Sequence, residues 1–517
     1  MHTCISILCK ITLFYTGKAF DMMKILLVYP ESPKTFWSFS YALKFISKKS
    51  SFPPLGLITI AAMLPETWEK RLVDMNTVAL KDKDIKWADY VFISAMIIQK
   101  ESSREVIDRC KALGIKTVAG GPLFTCEPAE FDDVDHLLLY EGELTFPEFL
   151  GDLKDGRAKH AYTADGWADL SQTPVPSWEL VDIRKYATLN IQYSRGCPYN
   201  CDFCNVTTLF GHTPRTKSAD QVLKELDAIY ALGWKGGVFF VDDNFIGNKK
   251  KLKDDILPAI KNWMEERMYP FSFLTEASIN LSDDEELMQL MAIAGFNAVF
   301  VGVETVDENS LIECNKVQNK NRNMVECVKK MQHYGLQVQG GFIVGFDSDN
   351  PSIFKRMIEF IQDSGIVTAM VGLLNAPKGT RLYQRLLEEG RISSSFNGNN
   401  TDMSMNFIPK MNPNVLFNGY NQIVSTIYSP KHYYERIMNF LREYRPVKSG
   451  GMHFGFNELA ALVKANIQLG FIGRERWYYW RLFFWSVFRK PKVFPLAITL
   501  SIYGYHFRKV FGIIDPV

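Results

Sequence analysis

Short apolar runs alternate with longer stretches of helical spacing across residues 23–154. Runs such as KILLVYP (24–30) and YVFISAM (90–96) have the length of buried strands, whereas SREVIDRCKALG (103–114) places apolar residues at helical intervals and ends at a glycine. Strands that alternate with helices favour a mostly parallel sheet covered on both faces. This segment is therefore predicted to form a Rossmann-like, doubly wound α/β domain.

The carboxyl ends of these predicted strands carry small, polar and glycine residues. Because ligands of open α/β sheets bind at those ends, these residues are candidate ligand contacts. Ordinary turns between a strand and a helix favour the same residue types, and that alternative stays open. The candidates are Pro30, Glu31, Asn76, Ser94, Met96, Gly120, Gly121, Pro122, Glu141, Gly142 and Glu143.

A polar, proline-containing linker is predicted at 155–187, and a second series of strands and helices at 188–380. Six strands in this length favour a partial (β/α)6 barrel, with a second open sheet as the alternative. Either fold places its site at the carboxyl ends of the strands. The predicted strands are LNIQYS (189–194), VFFVDD (238–243), FSFLTEAS (271–278), AVFVGVE (298–304), QVQGGFIVGF (337–346) and VTAMVGLL (367–374).

Beyond residue 380 the pattern becomes helical, with an extension of the core at 381–446 and an aromatic and basic region at 447–517. The longest uncharged run in 471–511 is Val493–Phe507, which has 15 residues; a helix needs about 20 to cross a bilayer. Aromatic rings beside basic side chains suit a helix lying at a membrane surface, and a buried packing helix is the alternative. The expected interfacial contacts are Trp477, Trp480, Trp485, Arg489 and Lys490.

Composition narrows the class of protein. The chain has 517 residues, too many for one core, and 47% of them are hydrophobic, so several globular domains are expected. The net charge of +2 gives no global attraction for nucleic acid. Nine cysteines in a chain without a convincing secretory signal argue against structural disulfides. Residues 1–22 are read as an N-terminal extension, with Met22 or Met23 as an alternative start.

The sequence YSRGCPYNCDFCNV places Cys197, Cys201 and Cys204 in a C-x3-C-x2-C arrangement after the first strand of the second series. Three thiolates are one short of the four that complete a structural zinc site or an ordinary cluster. A [4Fe–4S] cluster with one iron open to a chelating cofactor is therefore favoured. Zinc with a fourth ligand such as His212 is the alternative.

This motif identifies a resemblance to radical S-adenosylmethionine (SAM) enzymes. The segment before it resembles the cobalamin-binding domain of one large radical SAM subfamily. The strings FPPLGL, SRGCPYNC, VDDNFIGN and GGFIVGFDSD resemble the subgroup that includes the hopanoid C-2 methylase. The resemblance implies three cofactors: a [4Fe–4S] cluster, SAM and cobalamin.

The resemblance also implies roles for residues. Strand ends of the second series are expected to contact SAM, and the strand-end candidates of the first domain are expected to contact cobalamin. The first domain lacks the Asp-x-His-x-x-Gly motif, and its one histidine, His136, lies within a predicted strand, so no histidine is expected on cobalt. The expected SAM contacts are Phe203, Asp242, Asp243, Asn244, Glu276, Gly302, Glu304 and Lys316.

The function implied is C-methylation of an unactivated carbon in a hydrophobic, lipid-like substrate. In this subfamily a 5′-deoxyadenosyl radical removes hydrogen and cobalamin carries the methyl group. A reductase or ferredoxin-type electron donor, a cytoplasmic location and peripheral contact with the inner face of the membrane are expected, without nucleic acid. The alternatives are radical carbon–carbon bond or ring formation in a membrane lipid, and a non-catalytic metal-binding protein at membranes.

Overall fold

The computed structural model describes residues 22–399, 401–447 and 456–513. The predicted N-terminal extension lies outside these residues except for Met22. The chain divides into two compact units. Among the described residues, one unit comprises 22–33 together with Pro53–Ile183, and the other comprises Lys34–Phe52 together with the described residues of 184–513.

The first unit is built on a six-stranded parallel sheet with strand order β2-β1-β3-β4-β5-β6. Successive residues of β1 are buried on opposite faces, Leu26 and Val28 in one apolar cluster and Ile25 and Leu27 in another. Both faces are therefore covered, as a doubly wound sheet requires. The strands are β1 (Lys24–Tyr29), β2 (Glu69–Asp74), β3 (Tyr90–Ser94), β4 (Lys116–Gly120), β5 (His136–Leu138) and β6 (Ala161–Tyr162).

Helices on both faces complete this unit. The strand order reverses between β1 and β3, and ligands of such sheets bind at the carboxyl ends beside that reversal. The Rossmann-like prediction is confirmed. The helices are Leu55–Met63, Asp82–Trp87, Lys100–Ala112, Pro122–Cys126 and Gly142–Lys154.

The second unit contains a six-stranded parallel sheet with order β14-β13-β12-β11-β10-β7, the predicted partial barrel. A two-stranded hairpin, β8 and β9, follows the first strand. The strands are β7 (Thr188–Ile191), β8 (Ser194–Arg195), β9 (Arg215–Thr216), β10 (Gly236–Phe240), β11 (Phe271–Ala277), β12 (Phe296–Glu304), β13 (Gln337–Val344) and β14 (Ala369–Leu373). The helices between them are Val206–Phe210, Ala219–Ala231, Lys249–Lys251, Leu257–Glu266, Glu285–Ile293, Glu308–Glu313, Met324–His333 and Ser352–Ser364.

The segment Lys34–Phe52 leaves the first unit in sequence and packs within the second. Phe36 is fully buried and stacks on Phe507 with ring centroids 4.1 Å apart. His506, on the same helix as Phe507, bonds the Phe36 carbonyl oxygen through Nε2 at 2.9 Å. This segment is thus part of the core formed by the C-terminal helices.

The predicted helical C-terminal region is confirmed. In the last helix Arg508 is buried and pairs with Glu475 at 2.7 Å. No helix in the described part of the chain is both long enough and apolar enough to cross a membrane. The helices are Arg381–Glu388, Pro413–Ile427, Pro430–Glu443, Phe456–Ala465 with its π-helical continuation Asn466–Ile472, Arg476–Arg489 and Phe494–Val510.

The residues expected at a membrane surface differ in exposure. Trp477 is 78% exposed, and Arg489 is also exposed. Trp480 is partly buried and donates to the Gly470 carbonyl at 2.9 Å, and Trp485 is partly buried as well. The Lys490 ammonium donates to the carbonyl oxygen of Leu441 at 2.8 Å. These contacts fix Trp480 and Lys490 within the fold.

Candidate active site

The cysteine loop follows β8 of the hairpin. Gly196 has φ +91°, and a Cβ there would lie 3.0 Å from each of three carbonyl oxygens in the segment 210–213. The Cys197 amide donates to one of them, that of Gly211, at 3.3 Å. Glycine is required at 196 by both the positive φ and the close approach of backbone.

The three predicted cluster ligands, Cys197, Cys201 and Cys204, lie in this loop. Side-chain amides approach two of the sulfur atoms: Asn244 contacts Cys197 Sγ and Gln318 contacts Cys201 Sγ, each at a nitrogen–sulfur distance of 3.9 Å. Burial raises the pKa of all three thiols, that of Cys204 to about 12. Such thiols become ligands by releasing their protons when a metal centre binds.

Among the described residues, no group of three His, Cys, Asp or Glu side chains is arranged around a single metal ion. His212, the alternative zinc ligand, is exposed in the turn before β9. An iron–sulfur cluster needs a wider arrangement, because its thiolates bind separate iron atoms.

Asp242 and Asp243 follow β10. The buried Asp242 carboxylate accepts from the Ser194 hydroxyl at 2.6 Å and from the amides of Ser194 and Tyr193. The Asp243 carboxylate accepts from the Gly196 amide at 2.9 Å. Burial raises the pKa of Asp242 to about 7 and that of Asp243 to about 6. These contacts hold the start of the cysteine loop against the end of β10.

An ion pair lies at the end of β12. The Glu304 carboxylate and the Lys316 ammonium are 2.7 Å apart, and their side chains are only 11% and 12% exposed. Glu304 has φ +64° at a register irregularity between β12 and β13, an uncommon conformation for a residue other than glycine. A Cβ at Gly302 would overlap Glu304 Oε1 and lie 2.9 Å from Lys316 Nζ. The structure thus brings these three predicted residues together.

Glu276, at the end of β11, has no hydrogen-bond partner among the described residues. Burial, with Asp243, Asp242 and Glu304 nearby, raises its pKa to about 8. Four carboxyl groups thus lie at these strand ends, with Lys316 beside Glu304 and with Arg195 and Arg215 near Asp243, and Glu276 is the acceptor among them that keeps its hydrogen-bonding capacity within the described residues. Such a site suits a ligand that carries an ammonium and a sulfonium group.

Phe203, between two of the cysteines, places its ring centroid 6.3 Å from that of Phe346. The Lys316 ammonium lies 6.0 Å from the Phe203 ring centroid, within reach of a cation–π interaction. The aromatic side chain thus lies between the cysteine loop and the ion pair.

Asn319 is a site residue that the sequence does not reveal. It is fully buried and donates to the carbonyl oxygens of Gly302 at 3.1 Å and Val303 at 2.9 Å. It therefore holds the end of β12 next to the ion pair. Gln318, which contacts Cys201 Sγ, precedes it, and nothing in the string NKVQN distinguishes these two amides from ordinary turn residues.

Apolar side chains occupy the inner face of the partial barrel. Phe300 lies on the same face of β12 as Gly302, since alternate residues of a strand share a face. Trp37 packs edge-on against Phe300 with centroids 5.3 Å apart and donates from Nε1 to Met370 Sδ at 2.9 Å. A Cβ at Gly341 would lie 2.8 Å from the Phe300 ring, so glycine makes room for this packing.

A second aromatic contact extends this inner surface. Phe52 lies at the other end of the segment that carries Trp37. Its ring centroid is 5.3 Å from that of Phe239 on β10. Together with Phe300 and Met370 these rings form an apolar wall on the inner face. Trp37 and Phe52 are site residues that the sequence does not reveal, because their segment lies between predicted elements of the first domain.

In the first unit, the loop after β1 is held by the chain itself. The side-chain amide of Asn76 donates from Nδ2 to the Pro30 carbonyl oxygen at 3.2 Å, and its Oδ1 accepts from the Ser32 backbone N–H at 2.9 Å. The Glu31 amide donates to the Ser102 hydroxyl at 2.9 Å. Pro30, Glu31 and Asn76 thus form hydrogen bonds that stabilise the loops at the carboxyl edge of the sheet.

The loops after β3 and β4 are close together. Gly121 has φ +94°, and a Cβ there would lie 3.0 Å from Ser94 Oγ. A Cβ at Gly120 would lie 2.9 Å from a carbonyl oxygen of β5, and Pro122 begins the next helix. The Met96 side chain is 50% exposed. Glycine at 120 and 121 is thus required by the close packing of these loops on each other, and Met96 presents an apolar side chain at the same edge.

The candidate residues after β5 form hydrogen bonds within the first unit. Glu141 is buried and accepts from the Ala168 amide at 2.9 Å, and Glu143 accepts from the Thr173 hydroxyl at 2.8 Å. Gly142, between them, is the first residue of a helix. Both carboxylates thus accept hydrogen bonds from groups of the same unit.

His136 lies within β5, as predicted. Its Nδ1 is 2.6 Å from the Lys159 carbonyl oxygen, and its ring centroid lies 5.2 Å from that of Phe149. The ring is buried in the apolar side of the sheet and does not lie at the carboxyl ends of the strands.

Three family models match the chain. The B12 binding domain matches residues 45–150, the radical SAM superfamily matches 191–361, and a domain of unknown function (DUF4070) matches 380–515.

Two relatives cover most of the chain. An uncharacterised methyltransferase of Synechocystis sp. is 39% identical over 94% of this chain and 91% of its own length. The hopanoid C-2 methylase of Rhodopseudomonas palustris is 35% identical over 71% of each chain.

Solved structures share the fold. The cobalamin-dependent SAM radical enzyme OxsB, with aqua-cobalamin and SAM bound, aligns with a TM-score of 0.60 at 16% identity, over 96% of this chain and 82% of that one. The methyltransferase TsrM from Kitasatospora setae, with cobalamin and a [4Fe–4S] cluster bound, aligns with a TM-score of 0.57 at 14% identity, over 94% and 99%. The chain belongs to the cobalamin-binding radical SAM family and is a methyltransferase that uses a [4Fe–4S] cluster, SAM and cobalamin.

Proposed function

We propose that the enzyme methylates an unactivated carbon of a hydrophobic, lipid-like substrate by a radical mechanism. The observation that carries this proposal is the apolar inner wall, in which Trp37 packs against Phe300 and Met370 of the sheet that also carries the acceptor-rich strand ends. The named activity of one relative, the hopanoid C-2 methylase, supports the substrate class.

Within this proposal Cys197, Cys201 and Cys204 hold the cluster. Glu276 accepts from the SAM ammonium, and Lys316 faces its carboxylate while Glu304 and Gly302 shape the pocket. Phe203 and Asn244 pack beside the cluster loop, and Asp242 and Asp243 hold that loop in place. When bound, the cluster and SAM supply a 5′-deoxyadenosyl radical, and cobalamin carries the methyl group.

The apolar wall has two tasks in this mechanism. It binds a substrate that offers few hydrogen-bonding groups, and it excludes water from a reactive radical. Trp37 is central because it contacts both Phe300 of β12 and Met370 of β14. Its segment therefore joins two strands of the inner wall.

Cobalamin is proposed to lie at the carboxyl edge of the first sheet, near Ser94, Met96 and the glycines 120 and 121. Backbone and an apolar side chain at this edge allow close approach of a large flat ring. The loops that carry Pro30, Glu31 and Asn76, and those that carry Pro122, Glu141, Gly142 and Glu143, border it.

A His136→Ala variant is expected to bind cobalamin with unchanged cobalt coordination. His136 is buried in the sheet, and its Nδ1 is hydrogen-bonded to the Lys159 carbonyl oxygen, so the imidazole is not available to cobalt. Paramagnetic resonance of the cob(II)alamin form should show no imidazole nitrogen splitting in either protein. Nitrogen splitting that disappears in the variant would contradict this assignment.

The enzyme also needs an electron to reduce its cluster. We propose a reductase or ferredoxin-type protein as the donor, and a location at the inner face of a membrane, where a lipid-like substrate would be found. Reconstitution with flavodoxin and its reductase, compared with dithionite, tests the first of these suggestions.

The function is tested by an anaerobic assay of the reconstituted enzyme with SAM, cobalamin and a lipid extract of the source cells. Methylated lipid that carries label from methyl-labelled SAM is the expected product. Cleavage of SAM with no label in any lipid would contradict methyl transfer and favour bond or ring formation. No cleavage of SAM would overturn the radical mechanism itself.

A Trp37→Ala variant is expected to lower formation of methylated product about tenfold or more, since a large apolar contact with substrate and inner wall is lost. Cleavage of SAM should continue, because the described contacts of Trp37 are with apolar side chains, Phe300 and Met370 among them, and with none of the carboxylates proposed for SAM. Trp37→Phe, which keeps an aromatic ring, is the matched control and should retain most activity. Equal loss of SAM cleavage and methylation in the Ala variant would mean that Trp37 supports the whole barrel instead.

A further inference from the structure

Two neighbouring C-terminal helices present apolar side chains to solvent. We call them the aromatic helix pair: helix 456–472, including its π-helical end, and helix Arg476–Arg489. Large apolar side chains of the described residues on this pair are between 49% and 78% exposed, among them Val463, Ile467, Phe471, Trp477, Phe484 and Phe488.

The spacing of these residues shows that they form faces of helices. On the first helix Val463, Ile467 and Phe471 are four residues apart, and on the second Trp477, Phe484 and Phe488 are separated by seven and four. The opposite sides of the helices are buried through other apolar residues, including Leu469 on the first and Leu482 on the second. Each helix is therefore apolar on two sides. One side packs against the rest of the unit, and within the described residues no other element covers the second side.

Specific contacts keep the two exposed faces together. The Trp480 indole donates to the Gly470 carbonyl at 2.9 Å, and the Tyr479 hydroxyl donates to Asn466 Oδ1 at 2.7 Å. Rings on the pair also contact one another, since the ring centroid of Trp480 lies 5.7 Å from that of Phe471 and 5.6 Å from that of Phe484. The apolar side is thus a continuous surface.

Positive charge surrounds this surface. Residues 456–493 contain seven Lys or Arg and two Glu. One of the acids, Glu475, is buried and neutralised by Arg508 at 2.7 Å. Arg476, Arg481 and Arg489 are exposed and form no ion pair with the described residues.

We propose that the aromatic helix pair docks the enzyme on an anionic lipid bilayer. A bilayer offers an apolar interior to Phe471, Trp477 and Phe488 and anionic headgroups to the arginines beside them. A second copy of the chain fits less well, because an isologous contact would bring the arginines of the two copies together. The proposal does not depend on the substrate, so binding to vesicles free of substrate tests it separately.

The experiment is flotation of the full chain with vesicles of equal phosphatidylglycerol and phosphatidylcholine, compared with pure phosphatidylcholine. The protein should float with the anionic vesicles, and added salt should weaken binding. The variant Phe471→Glu/Trp477→Glu/Phe488→Glu should lower the vesicle partition coefficient more than about tenfold, since three apolar anchors are lost.

The matched control is Met268→Glu/Leu387→Glu/Ile408→Glu, which adds the same charge at residues that are 83%, 50% and 58% exposed elsewhere on the unit. It should bind as the parent does. A second variant, Arg476→Gln/Arg481→Gln/Arg489→Gln, keeps the apolar face and should flatten the salt dependence. The proposal is overturned if the parent ignores anionic vesicles, if the two Glu variants bind equally, or if light scattering shows a dimer that the first variant dissociates while vesicles stay unbound.

Discussion

Replacing Cys197, Cys201 and Cys204 together by Ala is expected to abolish the iron–sulfur cluster and, with it, all reductive cleavage of SAM. The three thiols lie in one loop whose path is fixed by Gly196 and by the Asp243 carboxylate, so the variant removes every thiol of that loop at once. Iron and sulfide analysis and optical spectra of the anaerobically reconstituted protein measure the first effect. Product analysis for 5′-deoxyadenosine measures the second.

The matched controls for this variant are single Ala substitutions at Cys110, Cys314 and Cys327. Cys110 and Cys314 are buried, and burial raises the pKa of each of these thiols to about 12, so they behave as small apolar residues. The controls should keep iron and sulfide at the parent level. A cluster that survives in the triple variant, or zinc in place of iron in the parent, would refute the assignment.

A Lys316→Met variant is expected to lose about 3 kcal/mol of stability, because it leaves the Glu304 carboxylate buried without its partner. It should also lower SAM cleavage by two orders of magnitude or more, roughly the loss that follows when a charged contact of about 3 kcal/mol is removed. Thermal unfolding and the rate of 5′-deoxyadenosine formation measure the two effects.

The double variant Glu304→Gln/Lys316→Met separates the two causes. It removes both charges while keeping similar shapes, so much of the lost stability should return. SAM cleavage should stay low, since the cation proposed for the SAM carboxylate is still absent. Recovery of both stability and cleavage would show that the ion pair only supports the fold.

The sequence predicts the two sheets well because their strands are continuous apolar runs of buried length. Leu26 to Val28 are buried on alternating faces, and in β12 Val299 and Val301 are buried on one face while Phe300 between them is partly buried on the other. Such apolar runs have few other stable arrangements. The cysteine spacing likewise predicts its loop, because three thiols within eight residues have no packing purpose. These features depend on local sequence alone.

Other features depend on contacts between distant residues. Trp37 lies in FWSFSYALKF, whose apolar residues do not indicate which core they enter, and its partners Phe300 and Met370 are hundreds of residues away. The resemblance to radical SAM enzymes implies Asp242, at the end of a predicted strand, as a SAM contact. Its bonds to the start of the hairpin could not be read from that place, because the pairing of β8 with β9 has no marked local pattern.

The long span between Phe36 and Phe507 has a consequence for biosynthesis. The Phe36 carbonyl bonds a histidine 470 positions later, so the core around Lys34–Phe52 cannot close until almost the whole chain has left the ribosome. At about 5–20 residues per second this takes roughly half a minute or more. During that interval Phe36 and Trp37 lack their final partners, and the nascent enzyme should depend on chaperones that cover such apolar segments. A gene fragment starting at residue 184 would lack this segment permanently and should aggregate.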